Sequence, residues 1–128
     1  MQLLLDTHAL FWSISDEGLL SPTALAAIRS SGNDVVVSVG SLWEMAIKVG
    51  LGKWPPAATL VTNFEQEMAA NGFRILGINV DHARESGLMR SVHRDPFDRL
   101  LAAQARIEQL AIVTADIKLQ GLGAAWLW

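Results

Sequence analysis

The sequence contains no cysteine. That excludes disulfides and thiolate zinc sites and is compatible with a reducing cytoplasm. No apolar run approaches the ~18 to 20 residues needed to span a membrane, so no membrane association is expected. No basic region opens the chain, and Asp6 cuts short the first apolar run. A signal peptide is therefore not expected, and the cytoplasm is the expected compartment. Charge is scarce, at 18% of residues against 51% hydrophobic, a balance that supplies a core and excludes a disordered chain. Positive charge is not in excess either, since the formal net charge is −3. Nucleic-acid binding through phosphate contacts alone would call for a basic protein. Any such function must rest here on a local basic patch together with bound metal. No repeat, low-complexity tract or linker divides the 128 residues, which are read as one domain, 1–128.

What the sequence does hold is an alternation of apolar strands and helices. Strands are expected at 3–5, 34–37, 73–78 and 111–114, with a fifth, edge strand at 125–128. Between them, helices are expected at about 8–14, 22–30, 38–49, 57–71, 81–91 and 96–109. Ser21-Pro22 and Asp95-Pro96 each combine an N-cap with proline at the first helical position. Gly50 and Gly52 stop the third helix. Strands that are apolar almost throughout belong to a parallel sheet covered on both faces, the α/β class.

Four acids sit where packing does not explain them. Asp6 ends the first strand, Glu44 interrupts the apolar stretch 42–49, Asp98 lies in Asp95-Pro96-Phe97-Asp98-Arg99, and Asp116 follows Ile112-Val113-Thr114-Ala115. Each has an ordinary reading. Asp6 and Asp116 suit helix N-caps. Glu44 pairs with Lys48 at i, i+4 on an exposed stripe shared with Ser41, worth roughly 0.3–0.5 kcal/mol. Asp95 fits the N-cap before Pro96, which leaves Asp98 in the first turn, near the positive end of the helix dipole. Their conjunction is more specific than any one of them. In open parallel α/β sheets ligands bind beyond the carboxyl ends of the strands, where Asp6 and Asp116 fall. Two like charges ~4 Å apart repel by about 4 kcal/mol at an effective dielectric of ~20. Such a cluster persists if it binds a cation or shares protons. Oxygen ligands suit Mg²⁺ or Mn²⁺ rather than Zn²⁺. A metal-dependent phosphodiesterase is the expectation.

The segments Leu4-Leu5-Asp6-Thr7-His8-Ala9-Leu10-Phe11-Trp12, Ser41-Leu42-Trp43-Glu44-Met45-Ala46-Ile47-Lys48, His93 to Ala105 and Ile112-Val113-Thr114-Ala115-Asp116 resemble, in order, the four motifs of PIN-domain proteins. The nearest group is the VapC-type toxins of type II toxin–antitoxin pairs. The resemblance spans nearly the whole chain and implies a three-layer α/β/α fold with a central parallel sheet. It implies a Mg²⁺- or Mn²⁺-dependent endoribonuclease with RNA as substrate, a cognate antitoxin protein as partner, and a homodimer. It carries over Asp6, Glu44, Asp98 and Asp116 as catalytic and metal-binding residues, with Thr114 and Asp95 in support. Asp6 and Asp98 are the expected central ligands.

Lys48, Arg94 and Arg99 are the candidate RNA contacts, in a chain whose densest basic stretch is Arg90, His93, Arg94 and Arg99. For Arg90 and Arg94, solvated helix ends are an equal alternative. His8 reads as structural rather than as a general base. Trp12, Trp43 and Trp54 are candidates for a partner surface, with core packing as the alternative. Two other classes stay open. A phosphoryl-enzyme or receiver-like α/β domain would want acids paired after the first strand, where Thr7-His8 stand, and a lysine after a late one, where Lys118 lies beyond Asp116. The other class is a non-catalytic binding protein on the same fold.

Overall fold

The computed structural model describes residues 1–128. Its first strand, β1 (Gln2–Leu5), runs into α1 (Thr7–Ser15), and a short 3₁₀ turn at Glu17–Leu19 leads to α2 (Pro22–Arg29). β2 (Asp34–Ser38) passes directly into α3 (Val39–Gly50), followed by a 3₁₀ turn at Pro55–Ala57, α4 (Ala58–Thr62) and α5 (Phe64–Asn71). β3 (Arg74–Leu76), α6 (Val80–Leu88), α7 (Pro96–Glu108), β4 (Ala111–Val113), α8 (Ile117–Gln120) and β5 (Trp126–Leu127) complete the chain. The five strands form one sheet in the order β3-β2-β1-β4-β5, all pairs parallel. The three-layer α/β/α architecture with a central parallel sheet is thus the observed one.

Alternate strand residues feed opposite layers, as a two-residue period requires. Leu3, Leu5, Val35, Val37 and Val113 pack with Ala9 and Leu10 of α1, Ile28 of α2, Met45 of α3, and Phe64 and Met68 of α5. Leu4, Val36 and Ile112 point the other way, onto Leu101, Ala102 and Ala105 of α7 and Leu119 of α8. β1 sits in the middle of the sheet, so Leu3, Leu4 and Leu5 have no exposed surface.

The expected 57–71 helix is two. The chain breaks at Asn63, where φ −106° and ψ 27° leave the helical range, and neither side has a capping side chain. Leu60, Phe64 and Met68 all reach the same core across the break. The third strand is shorter than the expected 73–78. Only Arg74–Leu76 pairs, on one side, with β2. As an edge strand it leaves Ile75 exposed, so the apolar signal there overstated its length. The helix expected from Asp81 starts one residue earlier, because Asn79 caps it and His82 returns the bond to the Asn79 N–H.

One close approach sets the spacing of two helices. A Cβ on Gly40 would lie 2.6 Å from Leu100 Cδ2. Glycine therefore lets α3 and α7 cross nearly in contact, and each helix carries one of the four acids.

Candidate functional site

The carboxyl edge of the sheet ends in two neighbouring acids. Leu5 of β1 and Val113 of β4 are register partners, and the Asp6 N–H extends that pairing to the Val113 carbonyl at 3.1 Å. Asp6 then caps α1, Oδ1 accepting from the Ala9 N–H at 2.7 Å. Its other oxygen, Oδ2, accepts from Thr114 Oγ1 at 2.6 Å. The same Thr114 hydroxyl oxygen accepts from the Asp116 N–H at 3.0 Å. Asp116 caps α8 through Oδ1 and the Lys118 N–H. Thr114 thus makes both a local bond and a hold on a neighbouring carboxylate. Asp6 is buried and its carboxyl is pushed up from the usual carboxylate range. Loss of hydration is the main cause and repulsion from Asp116 adds to it, while the bonds from Thr114 and Ala9 oppose the shift.

Glu44 is buried, not part of an exposed stripe. Its Oε1 accepts from Thr7 Oγ1 at 2.7 Å, and the Thr7 oxygen lies 3.1 Å from Ser41 Oγ. The expected i, i+4 pair forms as well, Lys48 Nζ donating to Glu44 Oε2 at 2.9 Å. Thr7 of α1 thus holds Glu44 of α3, and Ser41 in turn meets the Thr7 hydroxyl. Only the spacing of Ser41 on the Glu44 face gave any sequence signal for this.

On α7, Asp95 is the N-cap expected of it. Its Oδ1 accepts from the N–H groups of Phe97 and Asp98 at 2.9 and 3.3 Å. Asp98 Oδ2 is hydrogen-bonded to His93 Nε2 at 2.7 Å. Burial is the largest influence on Asp98, and Asp95 and Asp116 add like-charge repulsion. Together they outweigh His93 and raise its pKa to about 6. The His93 contact has no periodic signature in the sequence, since His93 lies in the loop before α7.

Arg99, one of the expected RNA contacts, is turned toward backbone carbonyls. Its guanidinium donates to the carbonyls of Ser86 and His93, both at 3.2 Å, and to those of Gly87 and Met89. It pins the 86–93 segment to α7 and has no free donor face for phosphate. Arg94 is exposed but does not line the cleft, whereas Lys48 does.

Asp6, Glu44, Asp95, Asp98 and Asp116 line one open cleft of about 280 Å³ with Thr7, His8, Trp12 and Lys48. All four predicted acids are brought together, from four different elements. The carboxylate donors suit a hard cation. Asp98 Oδ1, Asp95 Oδ2 and Asp116 Oδ2 accept no hydrogen bond within the protein. No three of these acids converge on one ligation point, so an ion held here would need side chains drawn inward. Asp116 is exposed at the rim, with Oδ2 unbonded. Lys118, the lysine a receiver-like site would use, does not line the cleft.

The PIN domain family model matches residues 3–124. Among solved structures, the chain is similar to that described as VapBC2 from Rickettsia felis bound to a DNA fragment from their promoter. That match has a TM-score of 0.69 at 17% identity and covers 99% of this chain and 98% of that one. It is also similar to FitAcB from Neisseria gonorrhoeae, at TM-score 0.68 and 20% identity over 98% and 96% of the two chains. A toxin–antitoxin complex from Klebsiella pneumoniae gives 0.67 and 20% over the same shares. At such identities these likenesses show the fold. No curated protein matches the chain.

Proposed function

Because this chain belongs to the PIN domain family, whose members are in general divalent-metal-dependent nucleases, we propose that it is an endoribonuclease requiring Mg²⁺ or Mn²⁺ and the toxin of a toxin–antitoxin pair. The observation that carries the reading is the convergence of Asp6, Glu44, Asp98 and Asp116 on one cleft at the carboxyl edge of a parallel sheet. Acids so placed, two with pKa raised by burial and mutual repulsion, are costly unless a cation neutralises them.

In this reading Asp6, Asp98 and Asp116 hold the ion and Glu44 ligates or orients the water. A divalent cation here supplies Lewis acidity toward a phosphoryl oxygen and acidifies water for in-line attack. The chain's own residues prepare the site. Thr114 fixes Asp6 and the backbone of Asp116 relative to each other, and Thr7 fixes Glu44. Lys48, held by Glu44, places a positive charge at the cleft wall for an RNA phosphate, and Arg94 is the outlying cation. Asp98 must lose its proton to ligate, and the bond to His93 favours its ionised form.

A protein partner is supported by α3. Trp43, Ile47 and Leu51, at i, i+4 and i+8, are 56%, 39% and 63% exposed and form an apolar stripe along α3, the helix that carries Glu44, to its C-cap. Such a patch suits an interface, and it fits a cognate antitoxin or the second subunit of a homodimer. Solved structures of similar fold include one described as a toxin–antitoxin complex. No helix is long and apolar enough to cross a membrane.

The test is RNA 5′-end mapping in cells briefly expressing the chain, against an Asp98→Asn control. New ends with the wild type alone are expected, and they identify the target. Identical end maps, with both proteins soluble, would sink the reading.

A further inference from the structure

The chain has ten lysines and arginines and a net charge of −3, and most of these cations already have partners. Five pair with acids, and Arg99 is bound to carbonyls. Lys53, Arg90, Arg94 and Lys118 make no ion pair. Two of these four, Arg90 and Lys118, line a groove that adjoins the cleft. It runs between the 89–93 segment and α8. Next to the cleft it is a hollow of about 310 Å³ with Val92, His93, Ile117 and Lys118 in its walls. Away from the cleft it becomes a hollow of about 400 Å³ that holds Arg90, together with Arg106 paired to Glu85 at 3.4 Å. Ser91, Gly121 and Leu122 line both hollows, so the two are continuous. His93 joins the groove to the cleft through its bond to Asp98, and Ile117 follows directly on Asp116.

Both walls are tied down. Arg99 holds the carbonyls of Met89 and His93, the His93 N–H donates to Ser91 Oγ at 3.1 Å, and the Met89 side chain packs on the core beneath. Arg90 and Val92 therefore project from a backbone held on either side of them. Opposite, Leu119 and Leu122 are buried, and Gln120 Nε2 donates to the Thr114 carbonyl at 2.9 Å. That anchoring leaves Ile117 and Lys118 on the outside of α8. Val92 and Ile117, 99% and 80% exposed, form apolar lips.

A nucleic-acid strand carries a negative charge at every phosphate. A cation in the cleft answers the scissile phosphate, but the next phosphates along meet only acids unless side-chain cations receive them. The groove sets Arg90, Arg106 and Lys118 against Glu85 alone, so its sign is opposite to that of the cleft. We propose that the RNA strand on one side of the scissile phosphate runs along this groove, Lys118 and then Arg90 meeting successive phosphates. This rests on the nuclease reading of the cleft. Lys118 and Arg90 hold backbone rather than bases, and they set how far a substrate must extend beyond the cut. An acidic protein segment would match the charge alone, whereas the continuity of groove and cleft at Asp98 and Asp116 favours the substrate strand.

The test uses the cleavage sequence found by end mapping in three oligoribonucleotides. One fills the cleft alone, and two are lengthened on the 5′ or the 3′ side. Wild type, Arg90→Ala/Lys118→Ala and the charge-keeping Arg90→Lys/Lys118→Arg are compared by kcat and KM with Mg²⁺ over a range of KCl. The alanine pair is expected to raise KM roughly 10-fold for the substrate lengthened on one side. It should leave kcat, the short substrate and the other lengthened substrate as in wild type. The slope of log kcat/KM against log salt is expected to flatten by about 0.7 per lost phosphate contact, about 1.4 for the pair, and to recover in the charge-keeping variant. If wild type cleaves and the alanine pair keeps its KM and salt slope, the groove carries no RNA while the nuclease reading stands. Equal losses on all three substrates assign Arg90 and Lys118 to the fold and overturn the proposal. Unchanged cleavage with lost binding of an oligoglutamate peptide gives the groove to an acidic protein segment and also overturns it. If wild type cleaves no RNA, the nuclease reading fails and the groove proposal falls with it.

Discussion

Thr114 Oγ1 donates to Asp6 Oδ2 at 2.6 Å, joining residues 108 positions apart in the chain. The bond exists because Leu5 and Val113 are register partners on adjacent parallel strands. The residues one step beyond them must then lie side by side. The same hydroxyl oxygen receives the Asp116 N–H, so one buried threonine sets the spacing of two acids.

Thr114→Val tests that role with little change in volume. It strips Asp6 of the bond that most opposes the raised pKa and leaves the Asp116 N–H without its acceptor. Stability is expected to fall by about 1–2 kcal/mol in denaturant melts. Cleavage is expected to drop roughly 10- to 100-fold, as for other supports of a ligating side chain. Unchanged activity with lowered stability would confine Thr114 to the fold.

Asp98 gives the metal-free protein a pH-dependent liability. Its unfolded pKa is near 3.8 and its folded pKa is about 6. A raised folded-state pKa means the stabilising contribution is complete below pH 3.8 and lost as pH rises through about 6. Asp98→Asn keeps a partner for His93 but carries no charge. In EDTA, its Tm is expected to match wild type near pH 4 (about the unfolded pKa) and to exceed it by a few degrees near neutrality. A variant less stable than wild type at neutral pH would make Asp98 chiefly a structural residue of the first helical turn.

The same ionisation governs catalysis with opposite consequence, since only the carboxylate ligates. With Mg²⁺ well below saturation, kcat/KM is expected to rise through about pH 6, following Asp98. Bound cation favours the ionised form, so raising Mg²⁺ toward saturation is expected to move the rise to lower pH. A flat profile between pH ~5 and ~8 would remove Asp98 from the ligand set.

Adding the metal back should stabilise the whole chain. At free Mn²⁺ about 100 times its dissociation constant, linkage gives about 2.7 kcal/mol, lost again on chelation. Differential scanning fluorimetry reads this directly. The increment should shrink in Asp6→Asn and Asp98→Asn. Equal Tm values with EDTA and with Mn²⁺ would favour a binding protein that uses no metal.

Arg99→Ala separates a structural cation from an RNA contact. Because Arg99 holds backbone carbonyls from Ser86 to His93, its removal is expected to cost about 2 kcal/mol. The segment carrying His93 should loosen and show faster hydrogen exchange. Weakened RNA binding at unchanged Tm would return Arg99 to the nucleic-acid face. Lys48→Ala is the matched comparison, expected to weaken RNA binding more than it lowers Tm.

Much of this molecule is set by local rules of residue type and spacing. Leu3–Leu5, Val35–Val37 and Ile112–Val113 are apolar on both faces, which only a covered parallel sheet accommodates. Ser21, Asp95 and Asp116 cap helices because their short side chains reach the N–H groups two or three positions on. The acids themselves were legible as candidate ligands because each interrupts an apolar element, and their order along the chain matched a family. What the sequence could not decide is which way long side chains point once helices pack. Glu44 has the same i, i+4 lysine on an exposed helix or a buried one. Only the crossing of α3 against α7 at Gly40, with Thr7 presented by α1, makes it a buried acid of the cleft. Arg99 and Arg94 look alike as neighbours of Asp98, yet one is spent on carbonyls of a loop whose course no period encodes. The pairing of His8 with Trp54 likewise joins a helix to a distant loop. Strand and cap signals act over a few residues, where backbone geometry is fixed by the residue type. Burial, charge partners and the aromatic stack of His8 on Trp54 are set by contacts across the whole chain, and those exist only once it has folded.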